Sequence, residues 1–336
     1  MIPNRSMSST LRRSCSAGMV ATLLLAWPGL VRPADPLSHY PERPIRMLVP
    51  FVPGGTTDIV ARLLAARLTS DLGQQVIVDN RGGGGGNIAA QTLTRAAADG
   101  YTLMVTLSNI VTNPGVNPAV GYDPVLDFTP VLLVGRAPYR VVVNPRVPAA
   151  TVQEWHALAQ AKPGSLNYGS AGNGTSQHLS VELFKRQAGI DIVHVPYKGA
   201  GPAMTDLIGG QIQTMFAGMV SSRPHVKAGR LRALAATGAT RSPESPELPT
   251  LAETILPGYE SGEWYAVVAP AGMSKALLTR VHDAVARAVH SPEVRDRLLG
   301  DGLNVLVGSS DQLGNVIRDD FAKWRSLAKE TRISAN

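Results

Sequence analysis

Apolar positions along this chain alternate between short continuous runs and helical spacing. Ile45–Phe51 (IRMLVPF) is a continuous run that predicts a buried strand, and Pro53-Gly54-Gly55-Thr56-Thr57 follows it as a tight loop. Apolar residues at 59, 60, 63, 64 and 68 then mark one face of a helix over Ile59–Leu72. Gln75–Val78 predicts a second strand, running into Asp79-Asn80-Arg81 and five glycines, Gly82–Gly86. An alanine-rich helix over 87–98, a strand over Tyr101–Leu107 and two short strands at 131–134 and 140–143 complete the first half.

The alternation then starts again. Leu166–Tyr168 enters a glycine-rich loop, Gly169–Ser176, ahead of a helix over Gln177–Gln187. Strands are expected at Ile192–Val195, Thr214–Ala217 and Arg232–Ala236, with helices at 201–209 and 221–228 between them. Strands alternating with helices imply βαβ units on parallel sheets, so the fold class is α/β with two doubly wound domains. A proline-rich stretch, 243–257, returns the chain to a strand at Trp264–Val268 and to helices at 274–289, 292–300 and 310–329. That tail is too short for a third domain and is expected to complete the first. The expected division is residues 41–142 with 266–336 as domain 1, and 143–265 as domain 2. Two crossings, near 140–146 and 260–266, imply a hinge with a cleft between the domains.

Composition changes this picture in one respect. The 336 residues are 44% hydrophobic and 17% charged, as in an ordinary globular protein, but the formal net charge of +7 invites a nucleic-acid reading. Four arginines (Arg5, Arg12, Arg13, Arg32) and no acidic residue lie in the first 34 positions; beyond them 28 basic residues face 25 acidic ones without a basic cluster. A nucleic-acid partner is not expected. Arg12-Arg13 precede a short apolar core, Met19–Trp27, then Pro28-Gly29 and small residues near Ala34. This is the pattern of a cleaved secretory signal peptide over residues 1–34, and its core is too short to span a bilayer. The single cysteine, Cys15, falls inside it, so the exported protein carries no disulfide.

The two glycine loops are the candidate chemistry. Gly54, Gly55 and Thr56, with Asp58 in the first helical turn, combine close backbone approach with the positive end of a helix dipole, which makes an anion site without a basic side chain. Thr57 or Asp58 acting simply as a helix cap is the plainer alternative. Ser170, Ala171, Gly172, Asn173, Gly174, Thr175 and Ser176 repeat the form in the second half, again at the carboxyl end of a strand, where open α/β sheets bind ligands. His178 follows in the next turn and could touch a ligand or serve the loop. Lys198, in Tyr197-Lys198-Gly199, could pair with a carboxylate or stand in solvent. Phe51 and Trp264 could line a cleft or pack in the core. Enzyme signatures fail: Gly174 is followed by Thr175 where a phosphate-binding loop needs lysine, Tyr168 replaces the first glycine of a nucleophile elbow, and the glycine run lacks the third glycine of a dinucleotide loop. The seven histidines show no metal-ligand spacing.

At these residues the chain resembles the periplasmic receptors of tripartite tricarboxylate transporters, the TctC or Bug family. The resemblance is carried by PFVPGGTTDIVAR (50–62), VIVDNRGGGGGNIAA (76–90), LNYGSAGNGTSQHL (166–179), VPYKGAGPAMTDLIGGQI (195–212), AGRLRALAATGATRSPESPELPTLAE (228–253) and GYESGEWYAVVAPAGM (258–273). It implies a two-lobed periplasmic binding-protein fold of the type II kind that closes on a small carboxylate. The carboxylate would lie against Gly54, Gly55 and Thr56, with Ser170–Ser176 and Tyr197-Lys198-Gly199 opposite, and Ser108-Asn109 and Ala217-Gly218 completing the cleft. It further implies a monomeric receptor without cofactor or catalytic residues, delivering its ligand to integral-membrane transporter subunits. A sensory receptor and a secreted α/β enzyme are the alternatives. The run of five glycines and the text Leu107-Ser108-Asn109-Ile110 depart from the family pattern and leave the ligand open.

Overall fold

The structure, a computed structural model, describes residues 39–331; the expected signal peptide and Cys15 lie outside the described residues. In chain order the elements are β1 (Ile45–Val49), α1 (Thr56–Leu72), β2 (Val76–Asn80), α2 (Asn87–Thr94), β3 (Thr102–Leu107), α3 (Asn109–Val116) and β4 (Phe128–Val143). There follow α4 (Val152–Ala161), β5 (Asn167–Ser170), α5 (Ser176–Ala188), β6 (Val193–Pro196), α6 (Ala200–Gly209), β7 (Thr214–Gly218), α7 (Met219–Lys227) and β8 (Arg232–Ala236). The chain ends with α8 (Leu251–Thr254), β9 (Gly262–Pro270), α9 (Lys275–His290), α10 (Pro292–Gly300), β10 (Asn304–Gly308) and α11 (Ser310–Thr331).

The main path of the sheet is β2-β1-β3-β9-β4-β7-β5-β6, with β8 and β10 each pairing with β4. Parallel pairing holds within β2-β1-β3 and within β7-β5-β6, as the βαβ alternation requires. The expectation of purely parallel sheets needs correction, because β9 runs antiparallel to β3 and to β4, and β4 antiparallel to β7 and β8. The two short strands expected at 131–134 and 140–143 are one strand of 16 residues. Its first part, Phe128–Pro138, pairs with β9, and its last part, Tyr139–Val143, pairs with β7. One strand therefore carries both halves of the sheet.

Four elements were not expected from the sequence, among them the short helix α8, which opens on a capping box between Thr250 and Glu253. Helix α3 reads NIVTNPGV, rich in turn formers, with Pro114 inside it. Helix α4 is set by a capping box between Thr151 and Glu154. Strand β10 is short and half exposed, and Val307 sits at φ 46°, so neither length nor alternation announces it.

Of the apolar clusters that hold the sheet to its helices, two contain buried aromatic rings. One surrounds Trp155, Phe184, Phe216 and Tyr259 beside Val141 and Val143 of β4. There the Trp155 and Phe184 rings stack with centroids 5.8 Å apart, and Tyr259 meets Phe184 edge-on at 5.6 Å. The other packs Leu48, Met104, Trp264 and Val268 against Leu313 and Ile317 of α11. Thus the carboxyl-terminal helix closes on β1, β3 and β9, strands that lie far from it in sequence. Phe184→Ala removes a fully buried ring from a packed cluster and should cost about 3–5 kcal/mol. Denaturant unfolding would measure it, and a loss below about 1 kcal/mol would mean α5 is not anchored through this ring.

Candidate functional site

The first glycine loop ends in an uncapped helix. Gly55 is the N-cap of α1, and no side chain of the described residues caps the first turn. Helix α1 begins at Thr56, three residues before the apolar periodicity suggested, and Thr57 does not cap it. Asp58 reaches backwards instead: its Oδ2 accepts from the Gly54 N–H at 3.1 Å and from Arg62 Nε at 3.0 Å, and its Oδ1 from Asn80 Nδ2 at 3.0 Å. Burial alone would raise the Asp58 pKa, but the bonds from Arg62, Asn80 and Gly54 outweigh it and hold the carboxyl below its ordinary value. Gly54, at φ 99°, turns the backbone as only glycine does cheaply. The start of α1 is thereby presented with its N–H groups outward, the arrangement that receives an anion.

The second loop is organised differently. The Ala171 N–H donates to Gln177 Oε1 at 2.7 Å, the Gly172 N–H to Ser170 Oγ at 3.1 Å, and the Gly174 N–H to His178 Nδ1 at 3.2 Å. Thr175 caps α5, accepting from the His178 N–H while donating to the Gly172 carbonyl at 2.7 Å. Four of the loop's amides, those of Ala171, Gly172, Gly174 and Thr175, are bonded inside it, which makes it a largely self-bonded wall. His178 belongs to that wall, its ring stacked on His194 at 4.1 Å, which in turn stacks on Tyr168 at 4.8 Å. Burial lowers both histidine pKa values, that of His194 to about 3, with His178 and Lys185 adding to the effect on His194, so both rings are neutral at ordinary pH.

The loops touch. A side chain on Gly201 would collide with the Pro53 carbonyl, and one on Gly85 would collide with the Asn173 carbonyl and Asn113. The Val52 N–H reaches the Lys198 carbonyl at 3.4 Å, and Thr112 Oγ1 donates to the Gly174 carbonyl at 2.9 Å. Asn109 and Asn113 bond the Gly85 and Gly84 carbonyls at 2.9 and 3.2 Å, which makes the glycine run an ordered turn between the loops. Thr56 Oγ1 lies 3.2 Å from Ser221 Oγ, joining α1 to α7.

A cavity of about 30 Å³ remains between these segments, room for two or three waters. Of the residues expected from the sequence, Phe51, Gly55, Thr56, Asp58, Ala171, Thr175, Ser176 and Gly218 line it. Gly54, Ser170, Gly172, Asn173, Gly174 and Gly199 shape the loops behind it. Ala217 is core, Tyr197 bonds Asp206 at 2.7 Å, and Lys198 is exposed, contributing only its carbonyl. Ser108 is buried with its Oγ unpartnered among the described residues, and lines an adjoining groove of about 870 Å³ that Ser176 and Glu263 also line. Trp264 packs in the core and borders that groove.

Three ionisable lining residues were not among the candidates read from the sequence: Tyr139 on β4 and Glu263 and Tyr265 on β9. Glu263 is 8% exposed, and its Oε2 accepts from the Tyr139 hydroxyl at 3.0 Å while Oε1 accepts from Tyr265. Burial raises its pKa to about 7 against the lowering effect of those two bonds. Burial, with Glu263 adding, keeps both phenols well above their ordinary value, so both remain donors. The available signal was a lone acidic residue opening an otherwise apolar strand, GEWYAVVAP. No Lys, Arg or His lines the cavity, and among the described residues no group of His, Cys, Asp and Glu could hold a metal.

Residues 60–333 match the model of the tripartite tricarboxylate transporter family receptor. A protein of R. palustris solved with adipate is 37% identical, with a TM-score of 0.84 over 88% of this chain and 99% of that one. The periplasmic binding protein BugD is 31% identical, with a TM-score of 0.85 over 88% and 99% of the two chains. MatC of Rhodopseudomonas palustris, solved with bound malate, is 31% identical, with a TM-score of 0.82 over 86% and 99%.

Asp58 offers a direct test of how the first loop is held. Asp58→Asn should cost about 1–3 kcal/mol in denaturant unfolding. Because its folded pKa is depressed, its contribution is present above its ordinary value of 3.8 and lost as pH falls through the lower folded value. An Asp58→Asn variant equally stable at neutral pH would show that the carboxylate does not hold the loop.

Proposed function

The chain belongs to the tripartite tricarboxylate transporter receptor family, and we propose that it captures a small carboxylate in the cavity between its two glycine loops. It is a solute receptor of such a transporter, and family members are periplasmic binding proteins. The observation that carries the carboxylate reading is the uncapped first turn of α1 facing the self-bonded loop 170–176. Each charge-assisted hydrogen bond from that turn to a carboxylate would contribute about 1.5–3 kcal/mol. The relatives solved with adipate and malate support the same ligand class.

The lobes of this reading are residues 41–142 with 266–336, and 143–265. Sheet pairing supports the division, since β4 changes partners at Pro138–Tyr139. Contacts between lobes at Gly54–Gly201 and Gly85–Asn173 form only on closure, so a ligand bridging both sides shifts the population to the closed form. Membrane subunits of the transporter would then recognise that form. The leader expected at residues 1–34 agrees with export, and no helix among the described residues is long and apolar enough to cross a membrane.

Binding without turnover fits the side chains present. The nearest approach to a nucleophile–base pair is Ser170 Oγ with His194 Nε2 at 2.6 Å, but Ser170 is fully buried and its Oγ also serves its own loop.

Titration with small mono-, di- and aminocarboxylates should raise the melting temperature, since ligand at a hundred times its Kd stabilises by about 2.7 kcal/mol. Gly201→Ala places a methyl against the Pro53 carbonyl only when the loops meet. It should leave the unliganded melting point nearly unchanged and weaken the best ligand at least about tenfold. Unaltered affinity in this variant would contradict closure at these loops.

A further inference from the structure

We propose that Glu263 makes this receptor select a carboxylate that also carries a protonated amine, rather than a second carboxylate. The inference rests on the reading that the start of α1 holds a carboxylate, and adds what the far side of the cavity asks of the ligand. Glu263 lines that cavity from β9, and a methyl built on Gly218 would meet both Thr56 Oγ1 and Glu263 Oε1, the latter at 3.3 Å. The anion-receiving helix start and the buried carboxyl thus lie on either side of one small group. Two opposite charges on a short molecule match that spacing, whereas two negative charges do not.

The neighbours of Glu263 bear this out. Tyr139 from β4 and Tyr265 from β9 donate to its two oxygens, which favours the ionised form. The single proton of Tyr139 serves the carboxylate, so Ser176 of α5, 2.9 Å from the phenol oxygen, is the donor in that contact. A carboxylate has about four acceptor positions, so two remain for a ligand N–H. No cation lines the cavity, and its other acid, Asp58, is already paired with Arg62. A ligand ammonium would supply the missing positive charge to a buried carboxylate, the arrangement under which burying a charge ceases to be costly. A second ligand carboxylate would instead face an acid with no counter-ion in the cavity, although Arg136, Arg241 and Lys323 line the adjoining groove that Glu263 also borders.

The test uses the exported chain, residues 35–336, and three matched pairs: malonate and glycine, succinate and β-alanine, glutarate and 4-aminobutyrate. Acetate, propionate and butyrate serve as controls without the second charge. Calorimetric titration near pH 8 should give, in at least one pair, an aminocarboxylate that binds about tenfold tighter than its dicarboxylate. Glu263→Gln should abolish that preference, bringing the ratio of aminocarboxylate to dicarboxylate affinity to within about threefold of one. In the wild type, aminocarboxylate affinity should fall several-fold from about pH 8 to pH 6, because Glu263, at about 7, takes up a proton there. Dicarboxylate affinity should not fall over that range. This profile stands even if the variant folds poorly. Dicarboxylates binding tighter than their amine partners in all pairs, or an unchanged ratio in Glu263→Gln, would overturn the inference and leave the carboxylate reading intact. Failure of every compound to bind the wild type would overturn the carboxylate reading and this inference together.

Discussion

The antiparallel pairing of β4 with β9 is the constraint on which the cavity depends. It runs from Phe128 opposite Pro270 to Pro138 opposite Gly262, after which β4 continues with β7 and β8 as partners. Tyr139 is the first residue beyond that change of partner, and Glu263 is the second residue of the facing strand, opposite Ala137. Alternation does the rest: Glu263 and Tyr265 share one face of β9, while Trp264 points the other way into the cluster with Leu313 and donates to Asp320 at 2.7 Å. A shift of one residue would exchange the carboxyl for the indole and erase the site.

On that frame the missing side chains matter as much as those present. Gly85 and Gly201 lie against the backbone carbonyls of Asn173 and Pro53, so the facing segments approach to distances no Cβ would permit. The hydrogen bonds between them run from the Val52 N–H to the Lys198 carbonyl and from Thr112 to the Gly174 carbonyl. Such an interface closes without a large apolar patch, which suits a surface that must also open to water. The chemistry is divided unequally: the α1 side offers unused N–H groups, and the α5 side offers rigidity.

Much of this was legible in the sequence. The βαβ alternation marked β1 to β3 and β5 to β8, and both glycine loops stand where strands end. What the sequence did not disclose has physical reasons. The long strand β4 looked like two, because Arg136 and Pro138 interrupt its apolar text at the place where it changes partners. Helix α3 was hidden by Asn113, Pro114 and Gly115, residues that suit turns. The internal bonding of the second loop was not legible: spacing reveals glycines and hydroxyls, but not that Gln177 and His178 take the Ala171 and Gly174 amides. Glu263 escaped, although it lies in a segment that carries the family resemblance, because a single acid in an apolar strand signals no chemistry by itself; its meaning comes from two tyrosines, one of them more than a hundred residues away in the chain.

The central claim is that one small carboxylate is gripped from both loops at once, by the N–H groups of α1 and by closure of the opposite wall. Amide hydrogen exchange across the chain, with and without saturating 4-aminobutyrate or glutarate, tests it most directly. The account predicts that ligand slows exchange together at residues 54–58 and 170–176, and at 199–201 where closure brings the backbones into contact. Protection confined to one loop, or found only in the groove bordered by Ser108 and Trp264, would contradict it.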